Sequence, residues 1–217
     1  MSRLEYIMFD LDGTLTDPGE GITNSLAYAI GKAGFPVPSK SELKKYIGPP
    51  LIPSFMEDFG VDEAFSRKML DFYREYYEPH GIFENEIYRG IPEMLGRLLK
   101  KGATLIVATS KPEPYAEDII KHFGLAGYFS AVCGNTMDER RTTKADIIAY
   151  VKERFPEISG DNALMVGDRR YDIEGAAAND VPAVGVLYGY GNETEFDGAV
   201  FIAKDVKALD DFLCSRA

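Results

Sequence analysis

The chain is poor in the residues that mark disulfide scaffolds, zinc sites and membrane proteins. Two cysteines among 217 residues, Cys133 and Cys214, cannot build a disulfide framework. Cys133 reads as a small buried hydrophobe and Cys214 as a tail residue. The two histidines, His80 and His122, lack the spacing of metal ligands. No apolar run approaches the roughly 20 residues that a membrane-crossing helix needs. Near the N-terminus the four-residue run Tyr6–Phe9 is too short for the hydrophobic region of a secretory signal. The cytoplasm is therefore the expected compartment. There is also no dense Lys/Arg run, and 24 basic against 35 acidic side chains leave a net charge of −11. Such a surface repels polyphosphate backbones, so no nucleic-acid polymer and no anionic membrane is expected as a partner.

What is present is a packed globular composition, 45% hydrophobic and 27% charged. Tyr6-Ile-Met-Phe9 reads as a buried strand that runs into a turn at Asp10, Asp12 and Gly13. Helical patterns follow, with Ile22, Leu26, Ile30 and Ala33 on one stripe, then Leu51 to Phe59 and Asp62 to Tyr77. No strand-like run occurs between Asp17 and Pro79, so this block is expected to be all-helical. Tyr73, Tyr76 and Tyr77 read as its helix packing.

Beyond Pro79 strands and helices alternate. Strands are expected at Thr104–Ala108, Ala131–Cys133, Ala163–Val166 and Ala183–Val186. Helices are expected at Ile91–Lys101, Pro112–Phe123, Lys144–Phe155 and Asp172–Asn179. This alternation implies a parallel sheet covered on both faces. The fold class is α/β, a Rossmann-like parallel core with an inserted all-helical domain. Residues 1–15 and 83–217 are assigned to the core and 16–82 to the insertion.

Ligands of open parallel sheets bind at the carboxyl ends of the strands. Three such ends carry reactive groups: Asp10 with Asp12, Thr109 with Ser110, and Gly167 with Asp168. Taken alone, the Asp-x-Asp pair reads as turn-capping aspartates. With Asp168 beside them, the acids repel one another unless a cation intervenes. Oxygen donors without clustered Cys or His favour Mg²⁺ over zinc. Asp172 reads as a helix-start charge behind the metal or as a ligand. Lys144 opens a helix, where a cation is disfavoured by the dipole and so points to an anionic partner; Lys111 ranks below it. The set suits phosphoryl transfer through an aspartyl-phosphate.

Four segments carry a family resemblance. Phe9-Asp-Leu-Asp-Gly-Thr-Leu-Thr16 resembles the first motif of the haloacid dehalogenase-like hydrolase superfamily. Val107-Ala-Thr109 resembles its second motif, Lys144 its third and Gly167-Asp-Arg-Arg-Tyr-Asp172 its fourth. The resemblance implies Asp10 as nucleophile and Asp12 as general acid/base. It also implies Mg²⁺ held by Asp10, the main-chain carbonyl of Asp12 and Asp168, with Thr109 and Lys144 on the phosphoryl group. The helical insertion looks like the family's cap. The acid at Asp12 is unlike the dehalogenating members, which lack it.

Tyr46-Ile-Gly-Pro-Pro-Leu51 resembles the cap loop of phosphoglycolate phosphatase-like enzymes and offers no arginine of the mutase kind. The lysine-proline pair common around the third motif is absent, so Arg140 and Arg141 stand as alternatives to Lys144. Tyr188-Gly-Tyr-Gly191 reads either as a substrate-contacting loop or as an exposed turn. The activity implied is Mg²⁺-dependent hydrolysis of small phosphorylated metabolites, phosphoglycolate phosphatase-like or 5′-nucleotidase-like. The alternatives are a phosphotransferase, a sugar-phosphate mutase or a pyrophosphatase.

Overall fold

The structure is a computed structural model, described for residues 3–138 and 140–217; the first two residues of the expected core and Glu139, in the segment before Lys144, lie outside the described residues. The chain divides into two compact units, Met1–Thr16 with Ile87–Ala217, and Asp17–Glu86.

In the first unit a parallel sheet of six strands has the order β5-β4-β1-β6-β7-β8. Its strands are β1 (Tyr6–Phe9), β4 (Thr104–Pro112), β5 (Ala131–Asn135), β6 (Ala163–Gly167), β7 (Ala183–Val186) and β8 (Phe201–Ala203). The helices are α5 (Ile91–Lys100), α6 (Glu113–His122), α7 (Lys144–Arg154), α8 (Arg170–Ala177) and α9 (Val206–Cys214). β1, β6, β7 and the middle of β4 (Leu105–Ala108) are apolar, as expected of a sheet buried on both faces. Alternate residues Met8, Ile106, Ala108, Ala163 and Met165 join Ile147, Ile148 and Val151 of α7 and Ile173 and Ala176 of α8 in one cluster. The interleaved Ile7, Phe9, Leu105, Val107, Leu164 and Val166 are equally buried and by strand alternation face the other side.

β4 runs four residues past the expected end at Ala108, and its register with β5 slips between Ala108 and Pro112. β8 and α9 extend the alternation beyond what the sequence pattern marked. β5 is an outer strand of the sheet. Along it, Arg154 Nη1 donates to Val132 O at 3.4 Å, and Gly134 N donates to Glu113 Oε2 at 3.1 Å.

The second unit holds α1 (Gly19–Lys32), α2 (Lys40–Leu43), α3 (Leu51–Phe59) and α4 (Glu63–Tyr76), followed by a wide helical turn at Tyr77–Gly81. Phe35 packs its ring on Phe59 at 5.0 Å, and Tyr73 stacks on Tyr77 at 5.1 Å. α1 meets the wide turn so closely that a Cβ on Gly21 would lie 1.9 Å from Gly81 O. The short strands β2 (Thr16–Asp17) and β3 (Glu86–Ile87) pair as a separate ribbon at the two places where the chain passes between units.

Candidate active site

The site follows from strand register. β1 lies between β4 and β6, with Phe9 aligned to both Val107 and Val166. The residues that follow these three therefore end at one level of the sheet. Asp10 N donates to Val166 O at 2.9 Å, which ties the first acid to the neighbouring strand. Chain progress reverses beside β1, and such switch points are where parallel sheets open a crevice.

Asp10 Oδ1 accepts from Leu11 N at 2.7 Å and lies 3.0 Å from Lys144 Nζ. Lys144 is the first residue of α7, which is capped by Thr143 in reciprocal hydrogen bonds with Asp146. Its ammonium also reaches Asp172 Oδ1 at 2.8 Å and donates to Ala108 O at 2.9 Å. One lysine thus bridges β1, β4 and α8. An added Cβ at Gly175 of α8 would sit 2.8 Å from Lys144 Cβ, so glycine there lets the two helices close around the ion pair.

Asp168 follows β6 and is buried. Its Oδ2 accepts from Tyr190 N at 2.7 Å, while Oδ1 is buried and accepts no hydrogen bond. Carboxylate oxygens of Asp10, Asp168 and Asp172 lie within 4.8 Å of one another and could hold a metal ion. Burial raises the Asp168 carboxyl well above the usual range, and the neighbouring Asp172 and Asp10 raise it further. Asp172 is pushed up to about 6, again chiefly by burial, with Lys144 opposing. Burial works to discharge Lys144, but Asp10 and Asp172 outweigh it and its pKa rises. Lys144 pairs with two of the three clustered acids, Asp10 and Asp172, so the remaining negative charge and the orphaned Asp168 oxygen suit a hard cation.

The carboxylate of Asp12 points elsewhere, with Oδ2 2.6 Å from Lys111 Nζ. Burial raises its pKa although Lys111 acts against the rise. Thr109 is buried and its Oγ1 accepts from Lys111 N at 3.3 Å; Ser110 is half-buried. Of the alternative cations, Arg141 lies 3.7 Å over the Tyr150 ring and 3.6 Å from Glu113, and Arg140 pairs with the exposed Asp138. Lys144 is the cation set among the aspartates.

The Tyr188–Gly191 loop, for which the sequence admits either a substrate-contacting loop or an exposed turn, packs its backbone on the site. Tyr188 OH donates to Thr14 O at 3.0 Å, and its ring meets Tyr88 edge-on at 4.9 Å. A Cβ on Gly189 would be 2.3 Å from Gly13 O, and one on Gly191 would be 1.9 Å from Asp168 O. The Gly-Tyr-Gly spelling was the available signal, since close backbone approach demands glycine. Gly13 itself has φ +81°, and a Cβ there would strike Asp168 Oδ2 at 2.2 Å.

Known proteins resemble this chain over most of its length. A 5′-nucleotidase of Pseudomonas aeruginosa is 42% identical over 193 residues, covering 89% of this chain and 87% of the relative. A protein named Tyrosine-protein kinase PtkA from Mycobacterium tuberculosis is 35% identical and shares 89% of this chain, but this chain spans only 65% of it. A phosphoglycolate phosphatase of Pseudomonas syringae pv. tomato is 30% identical, with 94% of this chain and 78% of the relative covered. Among solved structures, a predicted phosphatase from Clostridium acetobutylicum superposes with a TM-score of 0.94 at 43% identity, covering 99% of this chain and all of that one. The family model of the haloacid dehalogenase-like hydrolases matches residues 7–186, which run from the second residue of β1 to the end of β7 and include Asp10, Asp12, Lys111, Lys144, Asp168 and Asp172. The chain belongs to the haloacid dehalogenase-like hydrolase family.

Proposed function

We propose that the chain is a phosphoric monoester hydrolase that acts on small phosphorylated metabolites, as the names 5′-nucleotidase and phosphoglycolate phosphatase of its relatives suggest, and that it does so through an aspartyl-phosphate at Asp10. The observation that carries this reading is the Asp10 carboxylate, fixed by Leu11 N and Lys144 Nζ beside Asp168 and Asp172.

In this reading an Asp10 oxygen attacks phosphorus and the ester P–O bond breaks. Asp12, whose pKa burial raises against the pull of Lys111, gives its proton to the departing oxygen. Asp12 then takes a proton from water as the water attacks the aspartyl-phosphate, releasing inorganic phosphate and restoring Asp10. Lys144 and Thr109 hold phosphoryl oxygens, and Lys144 also keeps Asp10 turned toward them. Mg²⁺ would be held by Asp10, the main-chain carbonyl of Asp12 and Asp168, and would supply positive charge against the phosphoryl oxygens. The helical unit Asp17–Glu86, inserted after the first motif, is read as the cap that selects substrate.

The test is phosphate release from 2-phosphoglycolate, nucleoside 5′-monophosphates, pyrophosphate and hexose phosphates, with and without Mg²⁺. Metal-dependent release is expected, reduced about 10³-fold or more in Asp10→Asn. Undiminished release by that variant would move the nucleophile elsewhere. A second reading, transfer to a hydroxyl acceptor, is favoured by the relative that carries a kinase name. A phosphorylated or isomerised product instead of free phosphate would establish it.

A further inference from the structure

Two lysines turn largely covered side chains toward the aspartates, Lys144 and Lys111, and the proposed reaction uses only Lys144. Lys144 serves Asp10 and Asp172, whereas Lys111 holds Asp12. The position of Lys111 is built with care. It lies on the stretch of β4 where the register with β5 slips, between Ala108 and Pro112. A Cβ on Gly134 would come within 2.6 Å of Lys111 O, so the backbone of Lys111 is pressed against β5. Its own N–H is turned to Thr109 Oγ1, and its side chain is only 7% exposed. A long flexible cation confined in this way serves a specific partner rather than solvent. Its ammonium is 2.6 Å from Asp12 Oδ2, while Asp12 Oδ1 is buried and accepts no hydrogen bond. One oxygen of the acid is gripped and the other is left uncommitted.

We infer that Lys111 is the positioning residue of Asp12, gripping Oδ2 so that Oδ1 meets first the leaving oxygen and then the attacking water. The inference rests on Asp12 acting as acid and base. The proton leaves from Oδ1 to the ester oxygen in the first step and returns from water to Oδ1 in the second, and Lys111 keeps its own protons throughout. Misplacing a proton-transfer group by about 1 Å is enough to slow turnover on the order of 100-fold, so the grip is kinetically consequential although Lys111 need not touch substrate.

The test compares Lys111→Met, Lys111→Arg and Asp12→Asn in the Mg²⁺-loaded protein, with thermal unfolding to establish that each variant is folded. Two substrates are used, 2-phosphoglycolate, whose alkoxide must be protonated to leave, and p-nitrophenyl phosphate, whose phenolate leaves unaided. For Lys111→Met we expect kcat on 2-phosphoglycolate to fall on the order of 10- to 100-fold with KM and inhibition by inorganic phosphate unchanged. First-turnover release of p-nitrophenol should change less than about threefold, because that step needs no proton. Lys111→Arg should recover part of the loss, and Lys111→Met should add nothing in an Asp12→Asn background. A weakened phosphate inhibition with kcat intact would make Lys111 a phosphate ligand and overturn the inference. So would an equal fall in both the first turnover and the steady state. Full alkyl-phosphate turnover in Asp12→Asn would instead overturn the acid/base reading itself, whatever the lysine variants do.

Discussion

The two units bury polar groups in opposite ways. In the helical unit two buried hydroxyls bond to their own helix, Thr23 Oγ1 to Gly19 O at 2.6 Å and Ser25 Oγ to Gly21 O at 2.7 Å, and a third, Ser66 Oγ, is buried with no hydrogen-bond partner. Its ion pairs, such as Lys32 with Glu75 and Arg67 with Glu63, lie in solvent. In the sheet unit Lys144, Asp168 and Asp172 are buried outright at one end of the strands. Hydroxyls folded back on a helix ask little of their surroundings. Buried charges are costly unless paired, and here the pairing leaves surplus negative charge, an arrangement that stability alone does not favour. The contrast locates chemistry in the sheet unit without recourse to motif.

The contrast can be broken most severely at Lys144. Lys144→Met leaves Asp10 and Asp172 without their shared cation, and the loss of a buried ion-pair partner costs about 3–5 kcal/mol. Urea unfolding of the metal-free protein should show it as a lower midpoint, together with lost phosphate release. An unchanged midpoint would mean that the acids are accommodated without the lysine.

A smaller effect is expected from pH. Asp172 sits at about 6 in the folded protein against an ordinary 3.8. Between these values the folded state keeps a proton that the unfolded chain has released, so stability falls as pH rises through this window. In chelator, melting curves of wild type and Asp172→Asn from pH 4 to pH 7 should diverge by on the order of 2 kcal/mol, to the disadvantage of wild type at the higher pH. A constant gap would refute the assignment.

The smallest effect sharpens the comparison from the other side. Lys32→Ala removes an exposed pair of the helical unit and should cost under roughly 1 kcal/mol in the same unfolding assay. A loss as large as that at Lys144 would erase the distinction drawn between the units.

Much of this organisation is legible in the sequence because it is local. The strand Tyr6–Phe9, the helix Leu51–Phe59 and the strand Ala183–Val186 have the predicted bounds. Uninterrupted apolar runs and Pro/Gly punctuation suffice for these. β8 escapes because it is three residues long, two of them only half-buried, and so displays no periodicity. The extension of β4 escapes because Ser110 to Pro112 join the strand through a register slip that depends on β5. At the site, the acids advertise themselves by position after strands. The pairing of Lys111 with Asp12 spans 99 positions, and the capture of Asp168 by Tyr190 N spans 22. Neither contact leaves a local trace, because both arise from the spatial order of strands and loops.

β5 ends the sheet, and an outer strand offers unpaired backbone groups to any passing chain. Here Arg154 and Glu113 already occupy Val132 O and Gly134 N. A strand from a second molecule would have to evict both side chains before it could add to the sheet. The two side chains that occupy these groups of β5 therefore stand in the way of fibril-like stacking, and they lie far in sequence from Asp10 and Asp12.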